Sequence, residues 1–119
     1  MGGRFIAVVG PSGVGKDSVM AGLCDARPDL VRVRRVITRT PDAGGEDYEA
    51  VSPALFAARA AGGDFALHWQ AHGLSYAIPR STHDILDRGQ DALANLSRAM
   101  LSRAAQVFGT LTVLHVTAT

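Results

Sequence analysis

Residues 4 to 24 read RFIAVVGPSGVGKDSVMAGLC, and the order of types in that stretch decides the fold. Phe5 to Val9 is a continuous apolar, β-prone run, too short for a buried helix, which predicts a strand covered on both faces. The chain then turns through Gly10, Pro11, Ser12, Gly13, Val14 and Gly15 and enters an amphipathic segment at Lys16, a helix expected over about residues 15 to 26. Gly10, Gly15 and Lys16 match G-x-x-x-x-G-K in the strand-to-helix context that gives the motif meaning. Side chains would block the backbone amides that wrap a polyphosphate, and a helix N-terminus adds the positive end of its dipole. Lys16, the only lysine of the chain, is placed to neutralise β- and γ-phosphate oxygens.

The motif departs from its pattern at one position. A Ser or Thr hydroxyl normally follows the lysine and binds Mg²⁺; here Asp17 stands there, followed by Ser18. Either Asp17 approaches the metal, directly or through water, or Ser18 supplies the hydroxyl. A carboxylate beside an anion-binding loop is costly without a nearby cation, which favours a metal-linked Asp17.

At 119 residues with 47% hydrophobic content, the chain suits one globular domain, 1–119. A net charge of +1 gives no reason to expect a nucleic-acid or anionic-membrane partner. Cys24 is alone, so no internal disulfide can form, and it falls on the apolar side of the first helix as a buried thiol. No stretch has the length of a membrane-spanning helix and no signal peptide precedes the first strand, so a cytoplasmic protein is expected.

Further along, Val31 to Thr38 is expected to be one second strand, with Arg32 and Arg34 on a solvated face. Arg35 and Arg39 fall toward its carboxyl end, where open α/β sheets bind ligands. A polar loop, Thr40 to Asp47, leads through Tyr48 to a helix begun by Ser52-Pro53 and running to about Ala61. Two β-type segments, Phe65–Ala71 and Leu74–Ile78, join at His72-Gly73 as a hairpin. A helix over about 81–88, a strand over 91–96, a helix capped by Ser97 and running to about Val107, and a strand over 111–116 complete the order. This is an α/β core with an inserted antiparallel segment. His68 and His72 flank Trp69 without a third metal ligand and read as hairpin histidines with ordinary hydrogen bonds, Trp69 as core or pocket wall.

Together GPSGVGKDS, ITRTPDAGGEDYEAVS and FALHWQAHGLSYAIP resemble the guanylate-kinase superfamily of small P-loop kinases over nearly the whole chain. The resemblance implies a P-loop NTPase fold: a mostly parallel sheet flanked by helices, with an acceptor-binding insertion over about 35–80. It also implies ATP and Mg²⁺, with Arg39, Tyr48 and Tyr76 gripping the acceptor's phosphate. By this alignment the guanine-reading glutamate falls on Leu67, its hydroxyl partner on Ile78, a serine on Arg35, an aspartate on Asn95, and a second phosphate-binding arginine on Asp42. Leu and Ile cannot pair with the polar edge of a purine, which argues against guanine.

These departures, with GKDS, NLSRA and HWxAHGLxY, look like the ribose 1,5-bisphosphate phosphokinases of phosphonate catabolism. Such enzymes transfer the γ-phosphoryl of ATP to ribose 1,5-bisphosphate and make 5-phosphoribosyl 1-diphosphate. An acceptor without a base needs no glutamate, and its second phosphate suits the added cation at Arg35; Asn95 would bind a sugar hydroxyl. Alternatives are a guanylate or other nucleoside monophosphate kinase, and a non-catalytic binding module on the same fold. The resemblance further implies an arginine-rich lid and a C-terminal segment beyond Thr119, so phosphate binding with weak or no turnover is expected of these residues alone.

Overall fold

A computed structural model describes residues 2–11, 15–40 and 48–117. Strand β1, Phe5–Val9, is the centre of a parallel sheet in the order β2-β7-β1-β8, where β2 is Val31–Arg32, β7 is Ala92–Asn95 and β8 is Leu111–His115. Phe5 pairs with Ala92 on one side and Leu111 on the other. Burial on both faces explains the unbroken apolar run: Phe5, Ala7 and Val8 are fully buried. Helix α1, Lys16–Ala26, covers one face, packing Met20, Leu23 and Cys24 against Val8, Leu93 and Leu30. Helix α4, Leu101–Phe108, covers the other face; Ala104 is buried there and Phe108 stacks on Phe5 with ring centroids 4.3 Å apart.

A second sheet has the order β4-β3-β6-β5, with β3 Val36–Ile37, β4 Glu49–Ala50, β5 Phe65–Ala71 and β6 Leu74–Pro79. Strands β3 and β4 are parallel, whereas β3–β6 and β5–β6 are antiparallel. Helix α2, Pro53–Ala61, begins where the Ser52 Oγ accepts the Leu55 N–H at 3.1 Å, and buries Phe56 against Val36 and Ala77. Helix α3, Thr82–Asp87, leads from β6 back to β7. One continuous core joins the sheets, since Leu67, Trp69, Tyr76 and Ile78 pack in the same cluster as Phe5, Ala7 and Val9.

Two expectations need correction. The single strand over 31–38 is two strands in different sheets: the Val33 N–H still bonds the Leu93 carbonyl of β7 at 2.8 Å, whereas the Arg35 carbonyl accepts from Glu49 at 2.8 Å. Continued alternation would put Arg35 in the apolar row of Val31 and Val33, so the chain changes sheet there. The helix expected from Ser97 starts as a 3-10 turn, Arg98–Met100, and the Ser97 side chain makes no capping bond.

Candidate functional site

The carboxyl end of β1 is held between its neighbours by the Leu96 N–H to Val8 carbonyl bond, 3.0 Å, and the Val116 N–H to Val9 carbonyl bond, 2.9 Å. The glycine-rich turn leaves the sheet at this point, the position at which open α/β sheets take ligands. Ser12, Gly13 and Val14 lie outside the described residues; Gly10, Pro11, Gly15, Lys16 and Asp17 line a cavity of about 870 Å³. Gly15 caps α1 at φ +84°, a left-handed conformation that requires glycine here. The Lys16 ammonium spans the turn and donates to the Gly10 carbonyl at 2.6 Å. The Asp17 carboxylate lines the same space and accepts a hydrogen bond from Arg32, which ties α1 to β2. Arg32 is therefore an ion-pair partner rather than a solvated side chain. Ser18 is exposed in the first turn of α1 and does not line the cavity.

The second sheet builds the facing wall. Thr38 continues the β3–β6 pairing, its N–H bonding the Ser75 carbonyl at 3.1 Å and its Oγ1 accepting the Ser75 N–H at 2.9 Å. That pairing sets the position of Arg39, whose guanidinium lies 5.5 Å from the Tyr48 ring centroid. Arg35 is only 6% exposed; its guanidinium lies 5.2 Å from the Tyr76 ring and donates to the Asn95 carbonyl at 3.4 Å. Tyr76 in turn stacks on Trp69, centroids 5.5 Å apart. Aromatic faces thus hold both guanidiniums.

Arg35, Arg39, Tyr76 and Asn95 line the cavity together with the turn. Tyr48 does not: it is buried, its hydroxyl donates to the Thr40 carbonyl, and its ring supports Arg39. Asp42 lies outside the described residues. Leu67 and Ile78, directly paired across β5 and β6, are 3% and 0% exposed and belong to the core.

Trp69, His72, Ser97 and Arg98 also line the cavity. The sequence left Trp69 open between core and pocket wall; it is both. His68 and His72 lack the ordinary hydrogen bonds expected of them, having no hydrogen bond to a described residue: His68 packs its ring near Phe56 and Phe65, centroids 6.2 Å away. Arg98 donates to the His115 ring at the end of β8. Among the charged side chains of the described residues that line the cavity, Lys16, Arg35, Arg39 and Arg98 are cationic and only Asp17 is anionic. In a chain of net charge +1, that is a local concentration suited to several phosphate groups. Among the described residues no group of three or more His, Cys, Asp or Glu could hold a metal alone. No described helix is long and apolar enough to cross a membrane.

No protein-family model matches the chain. It is 56% identical over 116 residues to the ribose 1,5-bisphosphate phosphokinase PhnN of Ruegeria sp., covering 98% of this chain and 61% of that protein. It is 50% identical to the enzyme of that name from Pseudomonas fluorescens and 44% identical to that from Brucella melitensis, again over 98% of this chain and over 63% and 62% of theirs. The chain thus spans about three-fifths of the length of these curated relatives. Among solved structures, guanylate kinase from Anaplasma phagocytophilum matches with a TM-score of 0.82 at 21% identity, over 96% of this chain and 60% of that one. The fold is a guanylate-kinase-like P-loop α/β fold, and in sequence nearly the whole chain is similar to proteins named ribose 1,5-bisphosphate phosphokinase.

Proposed function

We propose that the protein transfers the γ-phosphoryl group of ATP to ribose 1,5-bisphosphate, giving 5-phosphoribosyl 1-diphosphate and ADP. The observation that carries this reading is 56% identity over 98% of the chain to a protein of that activity by name. The cavity supports it: a phosphate-binding turn and two arginines of the facing sheet line one space. Leu67 and Ile78 are sealed in the core, so neither offers a hydrogen bond to a purine.

In this reading the turn from Gly10 to Lys16 binds the ATP phosphates, and Lys16 balances the charge that develops on the γ-phosphoryl group. Arg35 and Arg39 hold the acceptor's two phosphates in line, Tyr76 keeps Arg35 in place, and Tyr48 acts through Arg39. The Asn95 side chain binds a sugar hydroxyl. An oxygen of the acceptor's 1-phosphate forms the new bond to the γ-phosphorus as the bond to the ADP oxygen breaks. No general base is needed, because the attacking oxygen is already ionised. Mg²⁺ retains waters and phosphate oxygens and needs few protein ligands; the half-exposed Asp17 carboxylate fits that demand better than Ser18, which does not line the cavity. Bound there, the ion would neutralise β- and γ-phosphate charge. A cytoplasmic location is part of the same reading.

The test is calorimetry with Mg·ATP, followed by ribose 1,5-bisphosphate or GMP, coupled to a transfer assay. Saturable binding of ATP and of the bisphosphate is expected, with GMP weaker by at least tenfold. Lys16→Ala is expected to abolish ATP binding and leave the melting temperature unchanged. Preference for GMP, or unaltered ATP affinity in Lys16→Ala, refutes the reading.

A further inference from the structure

The hairpin between β5 and β6 turns through His72 at φ +55° and Gly73 at φ +74°. Two successive positive φ angles are those of a type I′ turn, whose first position is best served by Asn, Asp or Gly. His72 is the only non-glycine residue with positive φ among the described residues. Histidine enters this left-handed region more readily than most side chains, yet it is not among the residues favoured at the first position of a type I′ turn, so a modest conformational cost relative to asparagine remains.

Among the described residues no contact offsets that cost. The imidazole of His72 makes no hydrogen bond to a described residue and takes part in none of the ring contacts that occupy His68 and His83. It is exposed, yet it lines the large cavity beside Ala71, on the wall that carries Arg39, Trp69 and Tyr76. Strain kept at a position where the side chain does no structural work, and confined to a ligand cavity, points to the ligand.

We infer that His72 binds the acceptor, its imidazole N–H donating to a phosphate oxygen of the phosphosugar. The inference rests on the reading of the site as a ribose 1,5-bisphosphate kinase and adds to it a phosphate contact outside the arginine pair. The acceptor is the partner, rather than ATP, because His72 belongs to the second sheet while the ATP turn belongs to the first. A hydrogen bond to a charged group discriminates by roughly tenfold or more in affinity. The turn therefore trades fold stability for recognition, and the two effects carry opposite signs.

The experiment compares wild type, His72→Asn, His72→Gly and His68→Asn by thermal melting and by calorimetry with ribose 1,5-bisphosphate and with Mg·ATP. Both His72 variants are expected to bind the bisphosphate about tenfold more weakly and ATP with unchanged affinity. His72→Asn is also expected to melt about 2 to 5 °C higher than wild type. His68→Asn, whose ring packs near Phe56 and Phe65 away from the cavity, is expected to bind both ligands as wild type does. Unchanged bisphosphate affinity in both His72 variants overturns the inference alone, as does a lowered melting temperature in His72→Asn. Loss of ATP affinity in those variants overturns the assignment to the acceptor. A wild-type protein that binds ATP but not the bisphosphate overturns both this inference and the substrate reading beneath it.

Discussion

Arg35→Met separates a buried strut from a substrate ligand, because the two roles predict different observables. Arg35 is 6% exposed, with its guanidinium 5.2 Å from the Tyr76 ring and 3.4 Å from the Asn95 carbonyl. The ring contact is worth about 1 kcal/mol and the long hydrogen bond about 0.5 kcal/mol. Removing a charge from a buried site returns a desolvation cost of similar or larger size, and methionine keeps most of the stem's packing. The change in folding stability expected from these two contacts is therefore within about 1 kcal/mol. Loss of a charge-assisted contact to a phosphate costs about 1.5 to 3 kcal/mol, a 10- to 150-fold loss of acceptor affinity. Arg35→Lys is expected to recover little of it, since an ammonium neither stacks on Tyr76 as a plane nor presents a fork. Urea denaturation reads the first quantity and calorimetry with ribose 1,5-bisphosphate the second, with ATP affinity as the internal control. A variant that loses more than about 3 kcal/mol of stability while binding the bisphosphate within twofold of wild type would show the arginine to be structural.

Three further perturbations test the fold around the site. Thr82 is fully buried and its hydroxyl has no hydrogen-bond partner among the described residues, so Thr82→Val, of nearly equal shape, is expected to stabilise by about 1 kcal/mol in denaturant melts. A Cβ on Gly3 would stand 1.7 Å from the Gln90 carbonyl oxygen, so Gly3→Ala must push the N-terminal segment away from β7. With it goes the 2.7 Å bond from the Gly3 N–H to Leu86, and about 2 to 3 kcal/mol of stability by the same melts. The Asp91 carboxyl is held below the ordinary aspartate range first by the Arg4 backbone N–H, at 2.8 Å, and then by Arg27, at 3.2 Å, against the opposing effect of burial. A carboxyl whose pKa is lower folded than unfolded stabilises the fold above its unfolded value, about 4, and that contribution fades as pH falls through the folded value. The stability gap between wild type and Asp91→Asn, about 1 to 2 kcal/mol at neutral pH, is thus expected to hold above about pH 4 and to close as the pH falls below it in acid titrations of the melting midpoint.

What could be read from the residues alone, and what could not, divides by range. The start of α1 at Lys16, the Ser52-Pro53 helix start and the His72-Gly73 hairpin are set by neighbours in the chain, and each falls within a residue or two of its expected place. The division of 31–38 between two sheets depends on β7 and β6, which lie some sixty and forty residues further along, and no local pattern encodes those partners. Tyr48 shows a separate limit: a residue type suited to phosphate was legible, but a hydroxyl directed to the Thr40 carbonyl, eight residues back in the chain, was not.

The departures from local rules were nonetheless in plain sight, and they converge in space. Asp17 occupies the hydroxyl position of the phosphate-binding motif; Arg35 occupies an apolar row; His72 occupies a turn position made for asparagine. Each breaks a different rule, in a helix start, a strand alternation and a hairpin turn, at points 17, 35 and 72 of the chain, and all three line the same cavity. Local choices that favour the fold are expected wherever nothing else is asked of a residue, so departures from them are expected to gather where a ligand is bound, even where, as with Asp17 and Arg35, the side chain also makes contacts within the fold. Independent errors of design would scatter over the surface. Their meeting on one cavity supports a bound ligand as a common cause: in the proposed reading Arg35 and His72 serve the acceptor's phosphates, and Asp17 the metal ion beside the ATP phosphates.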